Sequence, residues 1–411
     1  MSTDIRSSTP LAGLLVVSLG ASLAAMDLAV NVAFPAITDA FALETASIRW
    51  VIICYVLTYS SLMLAFGRLG DRIGHRQVFR AGLIVSALAF VLCALAPDYQ
   101  SLLAARVVQG VGAALTLSCA PALATLLFDE SRRVRALGHY GTLTALAGVL
   151  APLIGGISIA ALGWSGVFWF RAPLAVLALL LLPLLADTQP LSSASQRTPN
   201  PTQSLFRDID FVLPNVAGVV VHFAAFAVPL LVPYYLVRIA GHAAFEAGAA
   251  LALSPVGVLI GSALTAKVAD RVGVRRAALV GGMVVAAGSV MIALWPDAPW
   301  LSLMLATLFL HGAGLGLFQV AYADIVLGAL PRRDRGVAGS LTMVTRTIGI
   351  MSAAAALTAL LEAVESHRRT AGASEAAAFT DAFATVFLCM ASLLAVFFAL
   401  SVLRRRTWLA R

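Results

Sequence analysis

Twelve long apolar runs separated by short polar segments constrain this chain more than any other feature. They lie near residues 11–36, 48–69, 77–96, 101–128, 136–161, 167–186, 209–236, 246–268, 277–296, 300–328, 337–362 and 380–403. A helix of about 20 residues crosses the hydrocarbon core of a bilayer. Only 12% of the 411 residues are charged, about half the share of a soluble domain. We therefore predict an all-α integral membrane protein with twelve transmembrane helices.

A sequence repeat divides the chain into halves. DRIG at 71–74 returns as DRVG at 270–273, an offset of 270 − 71 = 199. QGVG at 109–112 returns as HGAG at 311–314, an offset of 311 − 109 = 202. We predict two pseudo-symmetric six-helix bundles, residues 1–186 and 209–411, with a central cavity. Residues 187–208, rich in Pro, Ser, Thr and Gln, are predicted to form a cytoplasmic linker.

The net charge of +8 comes from basic residues spread between the apolar runs. They build no continuous basic face, so we expect no nucleic-acid partner. Most of them lie in alternate loops, which by the positive-inside rule places both termini in the cytoplasm. Lys267 is the only lysine and alanine is abundant, a composition typical of a high-GC bacterial genome. The predicted location is a bacterial inner membrane.

Several motifs resemble the major facilitator superfamily over essentially the whole chain. GRLGDRIGHR at 67–76 resembles its loop between helices 2 and 3, and LAARVVQG at 103–110 its helix-4 motif. APLIGG at 151–156 resembles the helix-5 signature of its proton-driven antiporters. NVAFP at 31–35 and the segment 164–173 resemble the multidrug-efflux branch. That branch usually has fourteen helices, and its helix-1 acid usually stands five residues before the asparagine, whereas Asp27 stands four before Asn31.

The resemblance implies a transporter rather than an enzyme. It implies export of small amphipathic compounds by proton antiport through alternating access, in a monomer surrounded by lipid. The proton gradient would supply the energy, and no cofactor is expected. No Walker motif is present, and the four cysteines show no paired spacing, so neither ATP nor a metal site is predicted. The alternatives are proton-coupled uptake or exchange of a polar metabolite, and a non-transporting membrane sensor or scaffold.

Ionisable residues inside apolar runs are candidates for proton coupling, because each is costly in lipid unless paired or hydrated. Asp27 lies roughly 24 Å along helix 1 from its cytoplasmic start. Arg106 lies roughly 9 Å along helix 4 from its outer start. These depths are similar in a core about 30 Å thick, so the two can pair. In one interpretation, Asp27 exchanges its proton for substrate while Arg106 sets the pKa of Asp27. In the other, the two residues form a permanent ion pair that holds two helices together.

Asp324 and Arg346 form a second candidate coupling pair, since they lie on either side of the turn at 331–335. The alternative is that Asp324 is merely solvated near the membrane surface. Four polar residues are predicted to lie in the substrate cavity. They are Asn31, Gln109, His222 and His311. The two amides can instead hydrogen-bond neighbouring helices, and the two histidines can instead relay protons or be hydrogen-bonded core side chains.

Two further motifs are predicted to act in conformational change. Residues 67–76 are predicted to be a tight surface loop, and the resemblance implies a conformational latch there, with a looser copy at 270–271. The latch residues are Gly67, Asp71, Arg72, Gly74, Arg76, Asp270 and Arg271. In helix 5, Pro152 is predicted to bend the helix, and Gly155 and Gly156 to permit close packing that gating needs.

Overall fold

The computed structural model describes residues 10–128, 132–185, 208–295, 300–329, 335–404 and 407–408, without the side chains of 134 and 335–340. Eleven helices of these ranges are long and apolar enough to cross a membrane. At the sixth predicted run lies a shorter apolar helix, Arg171–Leu184. Helices satisfy every backbone polar group within the segment, which lipid requires. The all-α membrane architecture is confirmed, while the predicted linker lies outside the described residues except for Asp208.

The main helices follow the predicted apolar runs in order, and we number them α1 to α12. α1 has three pieces, Pro10–Ala25, Leu28–Val32 and Phe34–Ala40, and α7 has two, Ile209–Ala225 and Ala227–Tyr234. The first half continues with α2 Arg49–Ile73, α3 His75–Ala94, α4 Tyr99–Leu126, α5 Arg133–Leu162 and α6 Arg171–Leu181. The second half continues with α8 Ala244–Val272, α9 Val274–Ala293, α10 Leu301–Ala329, α11 Arg335–Thr370 and α12 Glu375–Val402.

Polar side chains cap several of these helices at their first residues. The Asp98 carboxylate accepts a hydrogen bond from the Ser101 backbone N–H at 2.8 Å and caps α4. That N–H and the Ser101 hydroxyl hold the pKa of Asp98 below its usual value. Asp208 caps α7, and Ser374 caps α12, in the same way. The caps satisfy N–H groups that lack partners at a helix start.

The described chain forms two compact units. The first unit contains residues 1–30 and 50–196, and the second contains 31–49 and 197–411. The chain of α1 thus passes from the first unit into the second. Within the second unit, Arg238 donates to Asp39 at 2.8 Å and to Thr38 at 3.2 Å, and Tyr234 donates to the Phe34 carbonyl at 3.4 Å.

The charged stretch 67–76 is largely helical, and not the tight surface loop that its composition suggested. α2 continues to Ile73, and α3 begins at His75, so Gly74 alone makes the turn, with φ at +100°. The repeat behaves identically, because Gly273, with φ at +87°, separates α8 from α9. Charged residues at a membrane surface can remain helical, and only the left-handed backbone needs glycine. The loop prediction was wrong, but the repeat is reproduced at this turn.

The first helix of each half is interrupted at the same place in the repeat. α1 breaks at Met26 and Asp27, and α7 breaks at Phe226. The offset, 226 − 27 = 199, equals that of the DRIG repeat. At the first break, the N–H of Asp27 bonds to the Ala24 carbonyl at 3.1 Å, a tighter turn than an α-helix makes. Such interruptions commonly mark functional positions.

Candidate functional site

The break in α1 places the Asp27 carboxylate among polar groups of α4 and α6, all within the first unit. Its side chain is 16% exposed, so the carboxylate is mostly buried inside the protein. Oδ1 accepts three hydrogen bonds, from Arg106, Gln109 and Arg171, and Oδ2 accepts one from Arg106. We call these four residues the Asp27 cluster.

Arg106 binds Asp27 with both terminal nitrogens. Nη1 lies 2.7 Å from Oδ1, and Nη2 lies 2.9 Å from Oδ2. Nε donates to the Val51 carbonyl at 3.0 Å, and the guanidinium lies 4.4 Å from the centre of the Tyr55 ring. This two-point geometry is the strongest that an arginine and a carboxylate form. The structure therefore forms the pair that equal depth along helices 1 and 4 suggested.

Gln109 connects the two charged partners. Its amide nitrogen donates to Asp27 Oδ1 at 2.9 Å, and its amide oxygen accepts from Arg106 Nη1 at 2.8 Å. The Cys93 thiol lies 3.7 Å from the same amide oxygen. Gln109 is one turn after Arg106 on α4, so both side chains face the same side of that helix. Gln109 thus hydrogen-bonds a neighbouring helix, and its place in a substrate cavity stays a prediction.

Arg171 is a member of the cluster that our sequence analysis missed. It is 0% exposed, and Nη1 lies 2.8 Å from Asp27 Oδ1 while Nε donates to the Val167 carbonyl at 2.9 Å. The rings of Phe90 and Phe168 lie 4.7 and 5.3 Å from its guanidinium. The rule that pointed to Asp27, an ionisable residue inside an apolar run, applies equally to Arg171 in the run at 167–186.

The two buried arginines and Asp27 depend on one another for charge balance. Among the described residues, Arg106 and Arg171 are the only buried arginines, and both bind one carboxylate. Burying a charge is costly unless it is paired and hydrogen-bonded. Removing one member of such a pair typically costs about 3–5 kcal/mol. The arrangement thus holds a carboxylate deep in the first unit, where a change in its charge alters every contact around it.

The second candidate coupling pair does not form. The Asp324 and Arg346 side chains are exposed, and the structure places no ion pair between these two described residues. Equal depth along two helices is insufficient for contact, because the side chains must also face each other around the helix axes. Asn31, predicted for the substrate cavity, is half-buried and lies one turn after Asp27 on α1.

The two predicted histidines differ in their contacts within the second unit. His222 Nδ1 lies 2.7 Å from the Gly218 carbonyl, and its Nε2 lies 3.3 Å from the Gln319 amide nitrogen. His311 is 1% exposed, and neither ring nitrogen has a partner among the described residues. Nearby, the Tyr322 hydroxyl donates to Asn215 at 2.8 Å. The bonds of His222 and Tyr322 thus connect α7 with α10 through neutral groups, and His311 takes no part in them.

The predicted latch residues lie at the ends of α2, α3 and α8. Asp71 is exposed and lies 3.3 Å from His75 Nε2. Arg76 donates to the Leu182 carbonyl at 3.4 Å, and Arg275 donates to the Thr407 carbonyl at 2.6 Å. These two arginines stand 275 − 76 = 199 residues apart, the offset of the repeat. The other latch residues lie as follows: Gly67 is half-buried, Gly74 is buried, and Arg72, Asp270 and Arg271 are exposed.

The helix-5 motif packs against α1 beside the break. Pro152 lies inside α5 and is buried, as is Gly156. A Cβ at Gly155 would lie 2.9 Å from the Ala29 Cβ, too close for a larger residue. Ala29 is two residues after Asp27. Small residues permit such approaches in membrane helices, so the motif holds α5 against the segment that carries the carboxylate.

The sequence matches the family model described as Major Facilitator Superfamily over residues 16–354 and 215–407. The methylenomycin A resistance protein of Bacillus subtilis (strain 168) is 26% identical, over 85% of this chain and 87% of that protein. The riboflavin transporter RibZ of Clostridioides difficile (strain 630) is 22% identical, over 82% of this chain and 84% of that protein.

A solved structure of the nucleoside transporter NupG has the same fold. The two superpose with a TM-score of 0.80, over 95% of this chain and 98% of that one, at 12% sequence identity. At such low identity the likeness concerns the fold and not the compound carried.

Proposed function

This chain belongs to the Major Facilitator Superfamily, and we propose that it exports small amphipathic compounds across the cell membrane by proton antiport. It is a multi-pass membrane transporter and not an enzyme. Export agrees with relatives whose names describe resistance to methylenomycin A and to multiple drugs. In this proposal the proton gradient is the energy source and the protein acts as a monomer.

The observation that carries the proton-coupling proposal is the geometry of Asp27. Among the described residues, it is the only carboxylate that accepts hydrogen bonds from two arginines. It lies at an interruption of α1 and keeps a limited opening, with 16% of its side chain exposed. A group that is paired, nearly enclosed and still reachable can exchange a proton while its contacts change.

Protonation of Asp27 would rearrange the whole cluster. A neutral carboxylic acid cannot accept three hydrogen bonds at Oδ1 and balance two guanidinium groups as the carboxylate does. Arg106 and Arg171 would then lose hydrogen bonds to Asp27 and would have to donate to other acceptors. Because α5 packs against Ala29 through Gly155, movement of the α1 break would be transmitted to α5. We propose that substrate release accompanies this step.

The direct test uses everted membrane vesicles that contain the protein. Respiration acidifies the lumen, and a pH-sensitive dye records the gradient. Adding a fluorescent amphipathic compound should release protons from the lumen, and the compound should accumulate inside. Asp27→Asn should abolish both signals, since its side chain cannot lose a proton.

The matched control is Asp39→Asn. Asp39 also pairs with an arginine, Arg238, but 63% of its side chain is exposed. This variant should keep proton release close to that of the unaltered protein. Accumulation of the compound that ignores the pH gradient would rule out antiport, and absence of both transport and binding would favour a sensor or scaffold.

Proton-coupled movement of a polar metabolite is the second candidate function. The observation that favours it is the second buried arginine, because two guanidinium groups and one carboxylate leave an excess positive charge in the first unit. Relatives of this fold named as riboflavin and nucleoside transporters are consistent with it. Vesicles offered anionic and neutral metabolites would distinguish the candidates by the direction in which protons move.

We also propose that residues 67–76 act as a conformational latch, with a weaker copy at 270–271. Asp71, Arg72 and Arg76 lie at the turn between α2 and α3, where Gly74 is the only residue between the two helices. In this proposal, a change in the backbone conformation of Gly74 moves both helices together. The latch residues are not proposed to contact substrate.

A further inference from the structure

One nitrogen of Arg171 has no hydrogen-bond acceptor. Nε and Nη1 are satisfied by the Val167 carbonyl and by Asp27, whereas the buried Nη2 has no partner among the described residues. The side chain is 0% exposed. Buried donors are almost always paired, and a guanidinium is a donor only. The missing partner must therefore be an acceptor, and an anion suits it best.

The charges around this nitrogen are unbalanced. Asp27 contributes one negative charge, and Arg106 and Arg171 contribute two positive charges. The other ionisable groups that face the cluster are Tyr55 and Cys54 on α2 and Cys93 on α3. The phenol and both thiols are neutral at pH 7. The cluster thus carries a formal charge of +1 with no counter-ion among the described residues.

A small cavity adjoins the cluster inside the first unit. Its lining includes Tyr55, Phe90 and Gln109, which contact the two arginines, together with the Ser86 side chain. The cavity reaches the cluster through Gln109 and these two rings, and its lining does not include Asp27, Arg106 or Arg171. It has room for about one water-sized group. The space therefore suits a small ion or the charged end of a larger compound, and not an entire amphipathic molecule.

From these observations we infer that the Asp27 cluster binds a monovalent anionic group on Arg171. Two sources share this chemistry, namely free chloride and the carboxylate of a transported compound. The inference concerns the site of the proposed function and rests on that function only for its role in transport. A chloride ion would neutralise the cluster and leave Asp27 to exchange its proton with an uncharged or cationic substrate.

A substrate carboxylate would have the opposite consequence. Protonation of Asp27 raises the formal charge of the cluster from +1 to +2, so proton and anion strengthen each other's binding, and this coupling is reciprocal. A compound held by its own carboxylate would then travel together with the proton. The identity of the anion thus decides between the two candidate functions.

The test measures anion-dependent thermal stability of the purified full-length protein. Sodium chloride or sodium acetate is added to the protein in a zwitterionic buffer of low salt at constant pH, and unfolding is followed by tryptophan fluorescence. A ligand of the folded state raises the midpoint in proportion to its saturation. We expect a saturable increase with chloride in the unaltered protein and none in Arg171→Gln. Arg238→Gln, which alters an arginine paired outside the cluster, should respond like the unaltered protein.

A second variant guards against loss of folding in Arg171→Gln. Arg171→Lys keeps the positive charge. It loses the planar guanidinium that can donate to Asp27, Val167 and an anion at the same time. The chloride concentration at half-saturation should therefore be severalfold higher in this variant. Equal chloride responses in the unaltered protein and in both Arg171 variants would overturn the inference. An unaltered protein that responds to neither chloride nor acetate would also overturn it.

Competition identifies the source of the anion. A fluorescent amphipathic acid and its methyl ester are added at fixed chloride concentration. If the acid alone abolishes the chloride response, the group is the substrate's carboxylate, and if neither does, it is free chloride. Both results support the site. Because these measurements need no membrane gradient, they stand or fall separately from the vesicle test of antiport.

Discussion

The two halves share a backbone plan but differ in charge at its centre. Both interrupt their first helix at one position of the repeat, where the first half has Asp27 and the second has Phe226. At the offset of 202, Leu308 corresponds to Arg106 and His311 to Gln109. Buried arginines of the described residues occur only in the first unit. The break itself belongs to the repeated fold, whereas the buried charges are present in one copy only.

The second unit has neutral hydrogen bonds in place of this cluster. Tyr322 lies within 2.8 and 2.9 Å of Asn215 and Thr345, and His222 lies 3.3 Å from Gln319. Neutral networks of this kind join helices in lipid without a large desolvation cost. We therefore expect proton coupling to depend on the first unit, and the second unit to tolerate exchange of its polar side chains more readily.

The variant Asp27→Asn should break the comparison most severely. It leaves two buried guanidinium groups without a counter-ion, so the free energy of unfolding should fall by about 3–5 kcal/mol. Thermal unfolding of the purified protein measures this loss. Asp39→Asn, which alters an exposed ion pair, should cost no more than about 1 kcal/mol. Similar losses in the two variants would contradict the special status of the cluster.

The two copies of the latch motif should differ in transport. Asp71 has a partner in His75, whereas the corresponding position, 75 + 199 = 274, is Val274. Asp71→Asn should lower the transport rate by about tenfold, or about 1.4 kcal/mol in barrier height, while substrate affinity stays nearly constant. Asp270→Asn should have the smaller effect. Loss of substrate binding in Asp71→Asn would contradict a latch that does not contact substrate.

Gln109 and His311 give a matched pair of substitutions at corresponding positions. Gln109→Leu removes bonds to Asp27 and Arg106 and leaves those groups less satisfied, at a cost of about 1–3 kcal/mol. His311→Leu breaks no hydrogen bond of the described residues and replaces a buried ring whose nitrogens lack partners there, so its unfolding free energy should fall by less than that of Gln109→Leu. Denaturation midpoints of the two variants measure the difference. A larger loss of unfolding free energy in His311→Leu than in Gln109→Leu would contradict the view that the first unit holds the more strongly bonded polar cluster.

The smallest effect is expected for Tyr322→Phe. It removes the hydroxyl that joins Asn215 and Thr345 and keeps the ring stacked on Phe318. A neutral hydrogen bond contributes about 0.5–1.5 kcal/mol, so the loss should be of that order, and proton release in vesicles should persist. Abolished proton release would show that the second unit also takes part in coupling.

Counting residues along helices predicted much of this fold and part of the site. The spacing of apolar runs reproduces the order of the helices, because a spanning helix has a nearly fixed length. Depth alone paired Asp27 correctly with Arg106. The same argument failed for Asp324 and Arg346, whose side chains are exposed, because depth does not determine the direction in which a side chain leaves its helix.

Other parts of the site depend on tertiary contacts that no local pattern encodes. Arg171 carries the signal of an ionisable residue in an apolar run, but its partner lies 144 residues earlier in the chain. The stretch 67–76 looked like a loop because it is charged and rich in glycine. Surface charges are compatible with helix, so only the residue that needs a positive φ, Gly74, forms the turn.

The unequal surroundings of the two Asp27 oxygens fix where a proton can be added. A carboxylate offers about four lone-pair positions, and Oδ1 already accepts three N–H groups while Oδ2 accepts one. A proton arriving at Oδ1 would meet three donors at once. Oδ2 has two lone pairs and accepts one bond, from Arg106 Nη2, so one position stays open for a proton. The carboxylate therefore has one chemically distinct face for proton entry, and Arg106 Nη2 is the donor bound beside it.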